Sequence, residues 1–110
     1  MAEIIDIQTD EMIQEALKAE TAVIFKNSTR CPVSSTARRE FRTFAETCSD
    51  DIKLYMVDVI VHRQLSQNIA EKTGIKHESP QAFILRNGSV VWHGSHWSIT
   101  EKNIRASIDS

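Results

Sequence analysis

One residue in this chain combines a nucleophilic atom with a setting that would activate it. Cys31 lies in the stretch Ser28-Thr29-Arg30-Cys31-Pro32-Val33-Ser34. The apolar run Ala22-Val23-Ile24-Phe25 before it reads as a buried strand, and a helical pattern begins at Pro32. A Cys where a strand turns into a helix sits beside unpaired N–H groups and the positive end of the helix dipole. That setting favours thiolate over thiol, and Arg30 adds a positive charge. Pro32 suits the first helical position, where its missing N–H would have no partner. The chemistry open to such a thiolate is thiol–disulfide exchange, which is fastest when the attacking thiol titrates near ambient pH. Ser34 stands where a dithiol site would carry its resolving Cys. A mixed disulfide formed on Cys31 therefore has no local thiol to release it. The spacing leaves the Ser34 hydroxyl two roles: donor to the thiolate one turn away, or cap for the backbone.

The second cysteine does not supply that thiol. Cys48 falls on the same predicted helix, about 25 Å further along it, whereas a disulfide needs Cα atoms within about 7 Å. We read Cys48 as a core-facing residue. His93 and His96 are possible metal ligands, but no second Cys/His pair completes a tetrahedral set, so no metal is expected. His62 and His77 read as surface residues. A Cys-dependent phosphatase loop has five residues between Cys and Arg. Here that Arg position is Ala37, and Arg38 is out of register.

The elements that must position Cys31 follow from apolar periodicity. Ile4 to Ile7 is a short apolar start. Thr9 caps a helix over 10–20, with Met12, Ile13, Ala16 and Leu17 on one face. A strand spans 21–26. The helix over 32–47 is the strongest in the chain, with Val33, Ala37, Phe41, Phe44, Ala45 and Cys48 forming an apolar stripe. Arg39, Arg42 and the acids lie off it as a solvated face; Arg38 is two turns from Cys31. A strand over 52–59 precedes a helix over 62–73 that Gly74 stops. Two apolar runs, 82–85 and 90–92, flank Asn87-Gly88, a strong hairpin signal. Ser98-Ile99-Thr100-Glu101 matches a capping box and opens a last helix. The order is βαβαβαββα. A β-α-β unit demands a parallel pair and the hairpin adds an antiparallel one, so the expected architecture is a central mixed β-sheet with helices on both faces.

At 110 residues, with 41% hydrophobic and 25% charged content, the chain suits one domain over 1–110 with a modest core. A formal net charge of -2 implies no general nucleic-acid affinity. The N-terminus is acidic without a long apolar stretch, and no apolar run approaches a membrane span, so neither a signal peptide nor a membrane partner is expected. Two cysteines in such a chain point to reduced thiols and a cytoplasmic location.

In outline the chain resembles thioredoxins along nearly its whole length. The pattern is closest in the second half, in Val57-Asp58-Val59, Gly74-Ile75, Ser79-Pro80 and Asn87-Gly88. The resemblance implies a thioredoxin-like fold in which Pro80 is cis and faces Cys31, and in which the backbone of Ser79 pairs with the substrate chain. Within that superfamily the chain resembles the monothiol bacilliredoxins, whose mark is Thr-x-Cys-Pro-x-Ser. Here that string is Thr29-Arg30-Cys31-Pro32-Val33-Ser34, accompanied by Ser79-Pro80-Gln81 and Ser95-His96-Trp97.

This second resemblance implies a monothiol thiol–disulfide oxidoreductase acting on bacillithiolated client proteins. Bacillithiol, a cysteine joined to glucosamine and malate, would be its co-substrate, with no tightly bound cofactor. Catalysis would fall to Cys31, Pro32 and Ser34, and substrate binding to Thr29, Arg30, Ser79, Pro80, His96 and Trp97. Fold geometry agrees on the last two. The strand after Pro80 starts beside the site, and its antiparallel partner returns to the same edge. A helix beginning at Ser98 would offer free N–H groups to the malate carboxylates, with Trp97 against the sugar or, alternatively, in the core. Two rival functions are a non-catalytic thioredoxin-fold binding module and a glutathione-linked monothiol glutaredoxin. Pro32 and Val33 depart from the Cys-Gly-Phe-Ser of the latter.

Overall fold

The computed structural model describes residues 2–110. The elements are β1 (Ile4–Asp6), α1 (Asp10–Lys18), β2 (Thr21–Asn27), α2 (Pro32–Thr47), β3 (Lys53–Asp58), α3 (Arg63–Thr73), β4 (Gln81–Arg86), β5 (Ser89–Ser95) and α4 (Glu101–Asp109). A single 3-10 turn, His96–Ser98, joins β5 to α4. The predicted order holds. The strands form one mixed sheet, β1-β3-β2-β4-β5, with β1 and β2 parallel to β3 and the β2/β4 and β4/β5 pairs antiparallel.

β2 lies in the middle of this sheet, so its period of two fills two cores. Val23 and Phe25 face α2 and α4 with Phe41, Phe44, Leu54 and Ile84. Ala22 and Ile24 face α1 and α3 with Ile13, Tyr55, Ile69 and Phe83. Phe25 and Phe41 pack with ring centroids 5.3 Å apart. Each of the buried Val, Leu, Ile and Phe side chains stabilises the fold by about 1.5–3 kcal/mol. Most of the apolar stripe of α2 is in the first core, and Cys48 caps the helix at its far end, buried, with its thiol pushed up by desolvation.

Local signals set most boundaries. Thr9 caps α1 by accepting from the Met12 N–H, and Gly74 ends α3 in the left-handed region at φ 74°. Asn87 and Gly88 take φ 51° and 83°, as a tight hairpin turn requires. Gly88 is doubly constrained, because a Cβ there would lie 2.9 Å from the Leu17 carbonyl oxygen.

Two expectations fail at element ends. α1 stops at Lys18 rather than 20, because the chain turns extended at Ala19 and the Glu20 carbonyl accepts from the Asn87 N–H. The capping box at Ser98 does not form. Thr100 caps α4 instead, accepting from the Asn103 N–H at 3.0 Å. The Glu101 carboxylate that would complete the box bonds Arg105 one turn on, at 2.9 Å.

Candidate active site

The C-terminal end of β2 feeds directly into Cys31. A turn bonds the Cys31 N–H to the Ser28 carbonyl at 3.4 Å, and Cys31 then takes extended angles as the N-cap of α2, with Pro32 behind it. Its carbonyl accepts from the Ser34 and Ser35 N–H groups. Pro32 has no N–H, so Val33 carries the one first-turn amide without a partner among the described residues. Cys31 is half-buried, and Thr29 and Arg30 beside it are exposed.

Across the sheet, β4 begins at Gln81, paired with Lys26, so the preceding Ser79-Pro80 bond lies level with the end of β2. That bond is cis. The Pro80 carbonyl accepts from the His96 N–H at 3.1 Å, which draws the His96–Ser98 turn to the same edge, where it packs against α2. The Ser79 hydroxyl is buried without a hydrogen-bond partner. On the other side, the Val59 N–H bonds the Asn27 carbonyl at 2.9 Å and brings in the loop after β3.

A family model described as monothiol bacilliredoxin BrxC matches residues 3–104. The chain belongs to the monothiol bacilliredoxin family. Its thiol redox role rests on that membership and on the fold. A solved structure described as a candidate oxidoreductase with a thioredoxin fold superposes with a TM-score of 0.87 at 32% identity, covering 96% of this chain and 93% of that one. Thioredoxin from Malassezia sympodialis (TM-score 0.78, 17% identity, 97% and 89% covered) and thioredoxin from Trypanosoma brucei brucei (0.74, 18%, 98% and 93%) share the fold.

In this bacilliredoxin the two roles open to Ser34 are separated by geometry. The side chain is fully buried. Its Oγ accepts from the Ser28 N–H at 2.8 Å and donates to Asn27 Oδ1 at 3.1 Å. The single hydroxyl proton is thus committed to Asn27, and the residue holds the Cys31 loop by its backbone. Asn27 drew no attention in the sequence, yet it ties the loop to both Ser34 and Val59.

His96 and Trp97 are exposed, Trp97 at 69%, so Trp97 is not a core residue. Trp92 packs against the first core. His96 has φ 53°, an uncommon angle that turns the chain out of β5. The amides expected to bind anions at the last helix are partly engaged from within. Because α4 starts at Glu101, its first N–H donates to Glu40 Oε1 of α2 at 2.8 Å and its third, from Asn103, to the Thr100 hydroxyl at 3.0 Å.

Three further residues shape the loop that ends in Pro80. Lys26, fully buried on β2, has its Nζ 3.0 Å from His77 Nδ1 and 5.6 Å from the Phe83 ring centroid. His77 is therefore half-buried and not a plain surface residue; burial and Lys26 both hold its titration below normal. Gln81, also buried, accepts from the Glu78 N–H and donates to the Lys76 carbonyl. The signal in the sequence was Lys26 at the same strand parity as the buried Ile24.

Burial lowers the Lys26 pKa from 10.5 to about 8. Between those values the unfolded chain binds more protons than the native one, so stability rises with pH across that window. The penalty is fully present below pH 8. Lys26→Met removes it, and stabilises the protein at pH 7 by about 1–3 kcal/mol more than at pH 10. Urea midpoints of both proteins at the two pH values measure this. An identical difference at both would show that the amine titrates normally.

Proposed function

We propose that this chain removes bacillithiol from S-bacillithiolated proteins by a monothiol mechanism. The Cys31 thiolate attacks the bacillithiol sulfur of the mixed disulfide. The client sulfur leaves as a thiolate, and a Cys31–bacillithiol disulfide remains. A second bacillithiol thiolate attacks that disulfide, giving bacillithiol disulfide and freeing Cys31 as thiolate. No external oxidant or reductant enters, because each step exchanges one S–S bond for another. Cytoplasmic thiol chemistry suits this cycle.

The observation that carries the reading is the absence of a resolving thiol near Cys31. Position 34 is a buried Ser with its hydroxyl engaged, and Cys48 caps the opposite end of α2. The unpartnered Val33 N–H is the backbone donor nearest in sequence for the attacking sulfur. Intact mass after incubation with oxidised bacillithiol, and separately with oxidised glutathione, tests the choice of thiol. One bacillithiol adduct per chain, on Cys31, is expected. Equal labelling by glutathione would move the chain to the glutaredoxin reading, and labelling by neither would leave a binding module.

Trp97 is the proposed contact for the sugar, with His96 beside it. Exposed as it is, Trp97→Ala should change stability by less than about 0.5 kcal/mol. It should slow the step that uses free bacillithiol by about 10- to 100-fold relative to small uncharged disulfides, the range expected for roughly 1–3 kcal/mol of contact. Equal slowing of both substrates would remove Trp97 from the pocket.

A further inference from the structure

The active-site helix carries a basic face that the exchange reaction leaves unused. Cys31, Ser35, Arg38 and Arg42 follow one another by four, three and four residues, so they share one side of α2. The buried set Ser34, Ala37, Phe41, Phe44 and Ala45 lies on the adjoining face, and Arg38 at the seam is half-buried. Ser35, Arg38, Arg39, Arg42, Thr43 and Glu46 line an open groove of about 300 Å³ that starts one turn from Cys31. Among the described residues none of these three arginines forms an ion pair. Glu40 is turned away to the Glu101 N–H, and Glu46 stands at the far end of the groove. Glu3 shares a neighbouring hollow with Arg42 and Glu46, without an ion pair to that arginine. Three unpaired cations on one side of a chain with formal net charge -2 leave the rest of the surface the more acidic.

We propose that this face docks an acidic segment of the client protein while its modified cysteine reacts at Cys31. The proposal rests on the function given above and adds the chemistry of the client. The groove is open and two of its arginines, Arg39 and Arg42, are exposed, which suits a peptide chain better than an enclosed small anion. Its reach sets a spacing. Arg38 and Arg42 lie about 10 and 16 Å from Cys31 along the helix. In an extended client that is about three to five residues. Such contacts act mainly on encounter rate and fade with salt, because exposed charges are screened within about 8 Å at physiological ionic strength.

The test compares three substrates: a bacillithiolated peptide with Asp or Glu three to five residues on both sides of its cysteine, the same peptide with Gln there, and bacillithiol disulfide alone. The wild type should prefer the acidic peptide by about ten-fold in kcat/KM, and high salt should erase the preference. The triple variant Arg38→Gln, Arg39→Gln, Arg42→Gln should lose the preference and keep its rate on the other two substrates. The triple Arg→Lys variant, with circular dichroism as a check on folding, should retain it. Equal rates on both peptides in the wild type would overturn the proposal. So would a matching loss on bacillithiol disulfide, which would assign the arginines to the small thiol's own carboxylates. Binding of the unmodified acidic peptide to Cys31→Ser, read by fluorescence anisotropy, separates docking from chemistry. If no substrate turns over but arginine-dependent binding persists, docking stands and the proposed reaction falls.

Discussion

Cys31→Ser should abolish transfer of bacillithiol, while Cys48→Ala should leave turnover within about two-fold. The contrast follows from where α2 puts its two ends. Cys31 is half-buried at the N-cap, next to the unpartnered Val33 N–H. Cys48 is buried at the C-cap, its thiol pushed up by desolvation and its Sγ facing the Ala45 carbonyl. A raised, buried thiol supplies little thiolate and meets few disulfides. About 25 Å of helix separates the two sulfurs, too far for one to resolve the other. Loss of the nucleophile removes the only covalent route, so residual activity should equal the uncatalysed exchange. Cys48→Ala deletes a core side chain and should cost stability, about 1 kcal/mol. The measurement is single-turnover release of bacillithiol from a model peptide, with melting curves for each variant. A folded Cys48→Ala protein without turnover would show that Cys48 takes part in the cycle.

Ser34→Cys should change the mechanism from monothiol to dithiol. The new thiol lies one turn from Cys31, within disulfide range. After the first exchange it should displace bacillithiol from Cys31 without a second bacillithiol. Intact mass would then show an internal disulfide, two mass units lighter, in place of the bacillithiol adduct. The substitution carries a structural cost. The Ser28 N–H loses a 2.8 Å oxygen acceptor and Asn27 Oδ1 loses its donor, both in a buried setting. Leaving such groups poorly satisfied costs about 1–3 kcal/mol. A lower melting temperature with faster release of bacillithiol is the expected pair of results. If both thiols stay reduced under mild oxidant, position 34 does not face the nucleophile.

These outcomes separate what short stretches of sequence determine from what they do not. The limits of α2, the glycine stop after α3, the hairpin at Asn87-Gly88 and the Cys31-Pro32 helix start were legible because each depends on residues within a turn of one another. The cis bond at Pro80 was legible only through family resemblance, since any X-Pro bond reads the same locally.

Most of the departures, and the choice left open at Ser34, turn on partners beyond one helical turn. The start of α4 depends on Glu40, 61 residues away from Glu101, whereas the capping box is lost to a local competitor, Arg105 one turn on. The role of Ser34 depends on Asn27 and Ser28 folding back over it. The side of the sheet that Trp92 joins does not follow from period two, because the register shifts between Ile84 and Leu85. That irregularity lets Val90 join one core and Trp92, two residues on, join the other. Residues three or four apart interact through helix geometry alone, so sequence determines their arrangement. Which hydroxyl, amide or ring finds a partner across the sheet is decided only when tertiary packing brings the elements together.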